Sequence, residues 1–179
     1  RTTKKIIKKR KIQKRVEEVN IMIEVPAVVI NYKTYNEASG KDAVKLAKTA
    51  SAVAKAKKKS VICCVQASDV HACAKQGVPV FAQHVDNTPP GGHTGKVSIK
   101  ALKENGAKGC LVNHSENRIS FEDIMETVAL LAEADMVSIV CVKTPTEAKR
   151  VAQLNPDIIA IEPPKLIGGN ISVTTADPT

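Results

Sequence analysis

An α/β fold of parallel strands, closing toward a barrel, is the fold class this 179-residue chain predicts. Three observations point to it. Short β-branched runs recur along the chain, with helical patterns between them. The runs are apolar throughout, as strands covered on both faces must be. The polar residues able to do chemistry gather where those runs end.

Six runs read as buried strands: residues 27–30, 61–65, 79–82, 109–112, 137–142 and 158–161. The first helix opens at Ser39, with Asp42 three residues on, and carries an apolar stripe of Ala43, Leu46, Ala47, Ala50, Val53 and Ala54. Asparagine or glutamine followed by glycine, at Gln76-Gly77 and Asn105-Gly106, ends helices before the next strand. Ser120 with Asp123 opens a helix bearing Ile124, Val128 and Leu131. Thr144-Pro145-x-Glu147 combines a cap, a proline at the first helical position and an acid at the third. Upstream, residues 4–19 and 21–25 read as one additional helix and strand. Strand–helix alternation implies parallel strands joined by right-handed crossovers. An open doubly wound sheet and a (β/α)8 barrel both satisfy that pattern, although no G-x-G-x-x-G follows the first strand to favour dinucleotide binding.

The composition bounds the rest. With 43% hydrophobic residues the chain can bury one core. No run of 18 apolar residues predicts a membrane span, and the charged N-terminus is unlike a secretory signal. The five cysteines (63, 64, 73, 110 and 141) are odd in number and lie mostly in apolar runs. They read as reduced, buried thiols of a cytoplasmic protein. No C-x-x-C occurs, and His71-x-Cys73 alone is weak, so no metal site is expected. The net charge of +9 is concentrated in residues 1–20, where nine Lys or Arg face Glu17 and Glu18. Residues 1–26 therefore read as a basic extension before a barrel domain at 27–179. The tail could attract phosphates, but it has no aromatic residue to stack on bases. Nucleic acid is accordingly an unlikely partner.

In either architecture chemistry gathers at the C-terminal ends of the strands. The first strand ends in Asn31-Tyr32-Lys33, the fourth in Asn113-His114-Ser115-Glu116, and the sixth in Glu162. In an open sheet such ends stand apart at ~4.8 Å per strand step. In a closed barrel they face one mouth, so the constellation favours the barrel.

The segments "VVINYKTYNEASGK", "PVFAQHVDNTPPGGHTGKVS", "GCLVNHSENR" and "LNPDIIAIEPPKLIGGNISVTTADP" resemble triosephosphate isomerase in its compact archaeal form. The match runs in order over residues 27–179. It implies a TIM (β/α)8 barrel, incomplete here at about six βα units, that interconverts dihydroxyacetone phosphate and glyceraldehyde 3-phosphate without a cofactor. By that resemblance Glu162 is the base and His114 a neutral electrophile on the substrate carbonyl. Asn31 and Lys33 bind substrate and offset charge on the enediolate, and Glu116 steadies Lys33 or His114. Residues 115–117 read as a helix start whose N–H groups disfavour an imidazolium. Pro163-Pro164 would stiffen the hinge of a lid, and Ile167 and Gly168 would bring backbone to the substrate phosphate. The resemblance further implies a homodimer or homotetramer formed through residues 86–96. The sequence departs from the family at Lys165, where an acid is expected, and at Cys63-Cys64-Val65. An alternative is a catalytically inactive barrel fragment whose basic tail binds nucleic acid or an anionic surface.

Overall fold

The computed structural model describes residues 24–162. Six strands alternate with five α-helices: β1 Ala27–Asn31, α1 Lys41–Lys57, β2 Ser60–Val65, α2 Val70–Ala74, β3 Val80–Ala82, α3 Ile99–Glu104, β4 Gly109–Val112, α4 Phe121–Glu133, β5 Val137–Val142, α5 Pro145–Val151 and β6 Ile158–Ile161. All strand pairs are parallel, and their spatial order is β1-β2-β3-β4-β5-β6. That order decides between the two architectures. A doubly wound sheet reverses direction at a switch point, whereas here every crossover advances one strand the same way, as in a barrel. The fold is an incomplete TIM barrel.

Two apolar layers follow from the period-2 alternation of side chains along each strand. One combines strand residues such as Cys63, Val80, Val112 and Val140 with helix residues Ala43, Ala47, Leu102 and Leu131, and it seals helices to sheet. The other holds strand residues only, Ile62, Cys64, Phe81, Leu111, Val137 and Ile139, with Ala27, Ile158 and Ala160 against them. It fills the concave side. Gly109 is required there, because a Cβ would stand 2.4 Å from both the Phe81 ring and the Val137 carbonyl oxygen.

β1 and β6 depart from the expectation of fully buried strands. Among the described residues each pairs on one side only, and Val28 and Ile161 are 55% and 50% exposed. Central strands have neighbours on both sides; among the described residues these two do not. The helices also correct the sequence reading in detail. Ser39 makes no cap: α1 begins after Gly40, while the Ser39 hydroxyl donates to the Tyr35 carbonyl and accepts from Gln66 Nε2. Val53 points to solvent rather than into the stripe. By contrast Ser120 and Thr144 cap as their spacing predicts, accepting from the amides of Asp123 and Glu147. Residues 1–23 of the basic extension lie outside the described residues. Glu24 and Val25 are not in a strand; the Glu24 amide donates to Ser60 Oγ at 2.7 Å.

All five cysteines are free and buried. In α2 His71 is exposed and Cys73 buried, so the two point to different sides of the helix. No helix among the described residues is long and apolar enough to cross a membrane.

Candidate active site

The C-terminal ends of β1, β4 and β6 bring the anticipated residues together. Asn31 continues the inward parity of Ala27 on β1, and Glu162 that of Ile158 and Ala160 on β6. Each strand thus delivers its last inward side chain to the mouth. β4 does so differently. Asn113 takes a left-handed conformation, φ +60°, which turns the chain so that His114 comes over the mouth. Asparagine tolerates that conformation better than most residues. Its side chain is also fully used, donating to the Cys141 carbonyl at 3.0 Å and accepting from the Ile119 amide at 3.1 Å.

His114 Nε2 lies 3.0 Å from Glu162 Oε1, and the Ser115 amide donates to Glu162 Oε2 at 3.2 Å. The two side chains are 11% and 22% exposed, enough for a small ligand to reach them. The Glu116 amide donates to His114 Nδ1 at 3.1 Å. An imidazole nitrogen that accepts an N–H carries no proton, so the ring hydrogen sits on Nε2 and Glu162 accepts it. The supporting amide comes from a turn at 115–117, closed by the Asn117 amide on the His114 carbonyl. The helix start expected there is absent; α4 begins only after Ser120, because Ser120 provides the side-chain cap.

Asn31 Nδ2 stands 3.2 Å from the same His114 Nε2, while Asn31 Oδ1 accepts from the Lys33 amide. The Asn31 amide nitrogen and the imidazole Nε2, whose hydrogen is held by Glu162, lie side by side at the mouth. They converge on a point where an oxygen bearing negative charge would be bound. Lys33 supplies a cation beside it. Its backbone is left-handed, φ +50°, and its ammonium reaches Glu116 Oε1 at 2.7 Å. The hydrogen bond from Lys33 draws the Glu116 carboxyl below its ordinary value, and the same bond raises Lys33 above its own.

Two contributors were not singled out from sequence. Gln83 Nε2 donates to the carbonyls of Lys33 and Cys64, at 2.9 and 3.1 Å, and so pins the strained Lys33 turn. Cys141, inward on β5, faces Glu162. Burial first, and the neighbouring carboxylate second, push its thiol up to about 12, so it stays a neutral S–H. No sequence signal separates these two from ordinary strand-end residues. Ile167 and Gly168, with the proline pair before them, lie outside the described residues. Among the described residues no group of His, Cys, Asp or Glu is arranged to hold a metal.

Residues 84–97 form a long excursion between β3 and α3. Asp86 anchors it, accepting from the Val97 amide at 2.8 Å and Lys96 Nζ at 3.1 Å, with His84 at 3.4 Å. Burial opposes ionisation of Asp86, but these partners outweigh it and hold the carboxyl below its ordinary value. Residues 91–96 are exposed.

A barrel with a carboxylate, a neutral imidazole and a cation at its C-terminal mouth defines a class of enzyme that moves protons next to a carbonyl. The family model for triosephosphate isomerase matches residues 26–179, and the chain belongs to that family. It is 44% identical to the triosephosphate isomerase of Methanothermus fervidus over 154 residues, covering 86% of this chain and 69% of that one. It is 41% identical to the enzyme of Methanobrevibacter smithii, covering 87% and 71%. The crystal structure of triosephosphate isomerase from Bartonella henselae shares the fold, with a TM-score of 0.56 and 20% identity over 72% of this chain. The chain spans 55% of that structure. These relatives are isomerases; they lend no support to the alternative of an inactive fragment.

Proposed function

We propose that this chain interconverts dihydroxyacetone phosphate and glyceraldehyde 3-phosphate with the residues gathered at its barrel mouth. The observation that carries the reading is the contact of His114 Nε2 with Glu162 at 3.0 Å, flanked by Asn31 and Lys33. Substrate binds with its carbonyl oxygen between Asn31 Nδ2, His114 Nε2–H and the Lys33 ammonium. That oxygen takes over the imidazole N–H, and a Glu162 oxygen is released toward the adjacent carbon. Glu162 removes a proton there. The C–H electron pair becomes the C=C bond of an enediolate, whose negative oxygen is stabilised by the three donors. The hydroxyl proton of the neighbouring carbon's oxygen passes within the site to the former carbonyl oxygen, and Glu162 returns its proton to the former carbonyl carbon as the other oxygen becomes the new carbonyl. Every step is a proton transfer, so no cofactor is called for. Glu116 keeps Lys33 aimed at the mouth, and backbone at Ile167 and Gly168 binds the phosphate. Residues 86–96 mediate a homodimer or homotetramer, and the protein works in the cytoplasm.

The test is a coupled isomerase assay on the chain and on Glu162→Gln. A general base contributes about 10²–10⁴-fold, and that loss in kcat is expected. Activity within about threefold of the parent would refute the assignment.

A further inference from the structure

Glu147 belongs to the cap of α5, yet the cap occupies only part of it. Its amide donates to Thr144 Oγ1 at 3.1 Å, and its Oε2 accepts from the Lys143 amide at 2.7 Å. Its other oxygen, Oε1, accepts from Arg118 Nη1 at 3.3 Å. Arg118 lies in the loop after β4, and the same Nη1 is 3.4 Å from the carbonyl oxygen of Cys141 on β5. That carbonyl also accepts from Asn113 Nδ2 at 3.0 Å. The Cys141 carbonyl thus holds both ends of the segment 113–118, and the carboxylate of Glu147 fixes the Arg118 end. The segment between them carries His114, the Ser115 amide on Glu162 and the Glu116 amide on His114 Nδ1. On the far side of β5, the Glu162 amide donates to the Val142 carbonyl at 2.8 Å. The end of β5 is therefore the common frame for base and imidazole alike.

We propose that Glu147 is a positioning residue for the proton-transfer site: through Arg118 it fixes the 113–118 segment, and with it the orientation of His114 against Glu162. The proposal rests on the functional reading above for its kinetic consequence, but the geometry it predicts does not. Arg118 and Glu147 are 30% and 26% exposed. The pair therefore contributes by orientation more than by raw electrostatic energy. Displacements of about 1 Å at a reacting centre can cost up to ~10²-fold in rate, so a loosened loop should show in kcat before it shows in binding.

The full chain labelled with 15N separates this role from helix capping. Glu147→Ala and Glu147→Gln are compared with Thr144→Ala, which removes the cap and leaves Arg118 its carboxylate. Imidazole resonances of His114, amide resonances of Ser115 and Glu116, melting temperature and isomerase kinetics are recorded for each. Both Glu147 variants are expected to shift and broaden the His114, Ser115 and Glu116 signals and to lower kcat roughly tenfold with KM within about twofold. Thr144→Ala is expected to lower the melting temperature without moving those signals. Glu147→Gln preserves shape and gives the same readout if the alanine variant does not fold. Unmoved His114 signals in the Glu147 variants, or equal movement in Thr144→Ala, would overturn the proposal. Should the signals move as expected in a chain without isomerase activity, positioning stands and the functional reading falls.

Discussion

His114 Nε2 and Glu162 Oε1 meet at 3.0 Å, although β4 and β6 are separated in the sheet by the whole of β5. Strands two steps apart stand ~10 Å from one another at ~4.8 Å per step. The gap is crossed by the left-handed turn at Asn113 and by the inward aim of Glu162 from the end of β6. Glu162 arrives by the regular alternation of its strand; His114 reaches it only through the turn at Asn113.

Removing the imidazole separates binding from turnover. On the proposed mechanism, His114→Ala removes the N–H that faces the developing oxyanion, and polarisation matters most as charge develops. Steady-state kinetics should show kcat falling by about 10²–10³-fold with a much smaller change in KM. A rise in KM at constant kcat would assign His114 to ground-state binding only.

The Lys33–Glu116 pair makes a pH-dependent contribution whose sign is fixed by its shifts. Glu116 is held below its ordinary 4.5, so its contribution is present above 4.5 and lost as pH falls through the lower folded value. Lys33 is raised above its ordinary 10.5, so its contribution is present below 10.5 and lost as pH rises through the higher folded value. The pair is partly exposed, and less than about 1 kcal/mol is expected from it. Denaturant unfolding of Glu116→Gln should show its deficit against the parent between these limits, closing in acid and in strong base. A deficit unchanged at pH 3 would assign it to packing.

Gly109 tests the inner layer. An alanine methyl there meets the Phe81 ring and the Val137 carbonyl at 2.4 Å, and backbone cannot yield as a flexible side chain does. Overpacking costs about 1–3 kcal/mol, and Gly109→Ala should fall at or above the upper end by urea unfolding. A neutral substitution would mean that β4 can shift away from Phe81 and β5 without cost.

Asp157 tests the opposite end of the barrel. Its Oδ2 accepts from both the amide and the hydroxyl of Ser138 at 2.9 Å, and its own amide donates to Ser138 Oγ at 3.0 Å. Both residues are buried. Asp157→Ala leaves buried donors without an acceptor, at about 1–3 kcal/mol each, and should lower the melting temperature while leaving KM unchanged. A shift in KM would show that this network communicates with the mouth.

Much of this was written locally. The β-branched runs, the caps at Ser120 and Thr144 and the glycines after α2 and α3 act through neighbours a few residues away, so their spacing alone predicts them. Asn31, Lys33, His114 and Glu162 were legible for a related reason: strand polarity sends every C-terminal end to the same face, whatever the sheet's order. The remainder depended on partners distant in the chain. Strand periodicity left an open sheet and a barrel both possible; the strand-end residues and the family resemblance favoured the barrel, and the one-directional strand order settled it, because strand adjacency is a tertiary choice. Ser39 carries a capping signature but spends its hydroxyl on Gln66, and β1 and β6 read as buried strands yet keep an exposed side. Gln83 under Lys33, Asp157 on Ser138, and Glu147 reaching Arg118 have no spacing rule to announce them. Residue types and chain direction determined which groups arrive at the mouth; only packing between remote segments decided how they are held there, since hydrogen bonds of that kind exist only once the strands lie side by side.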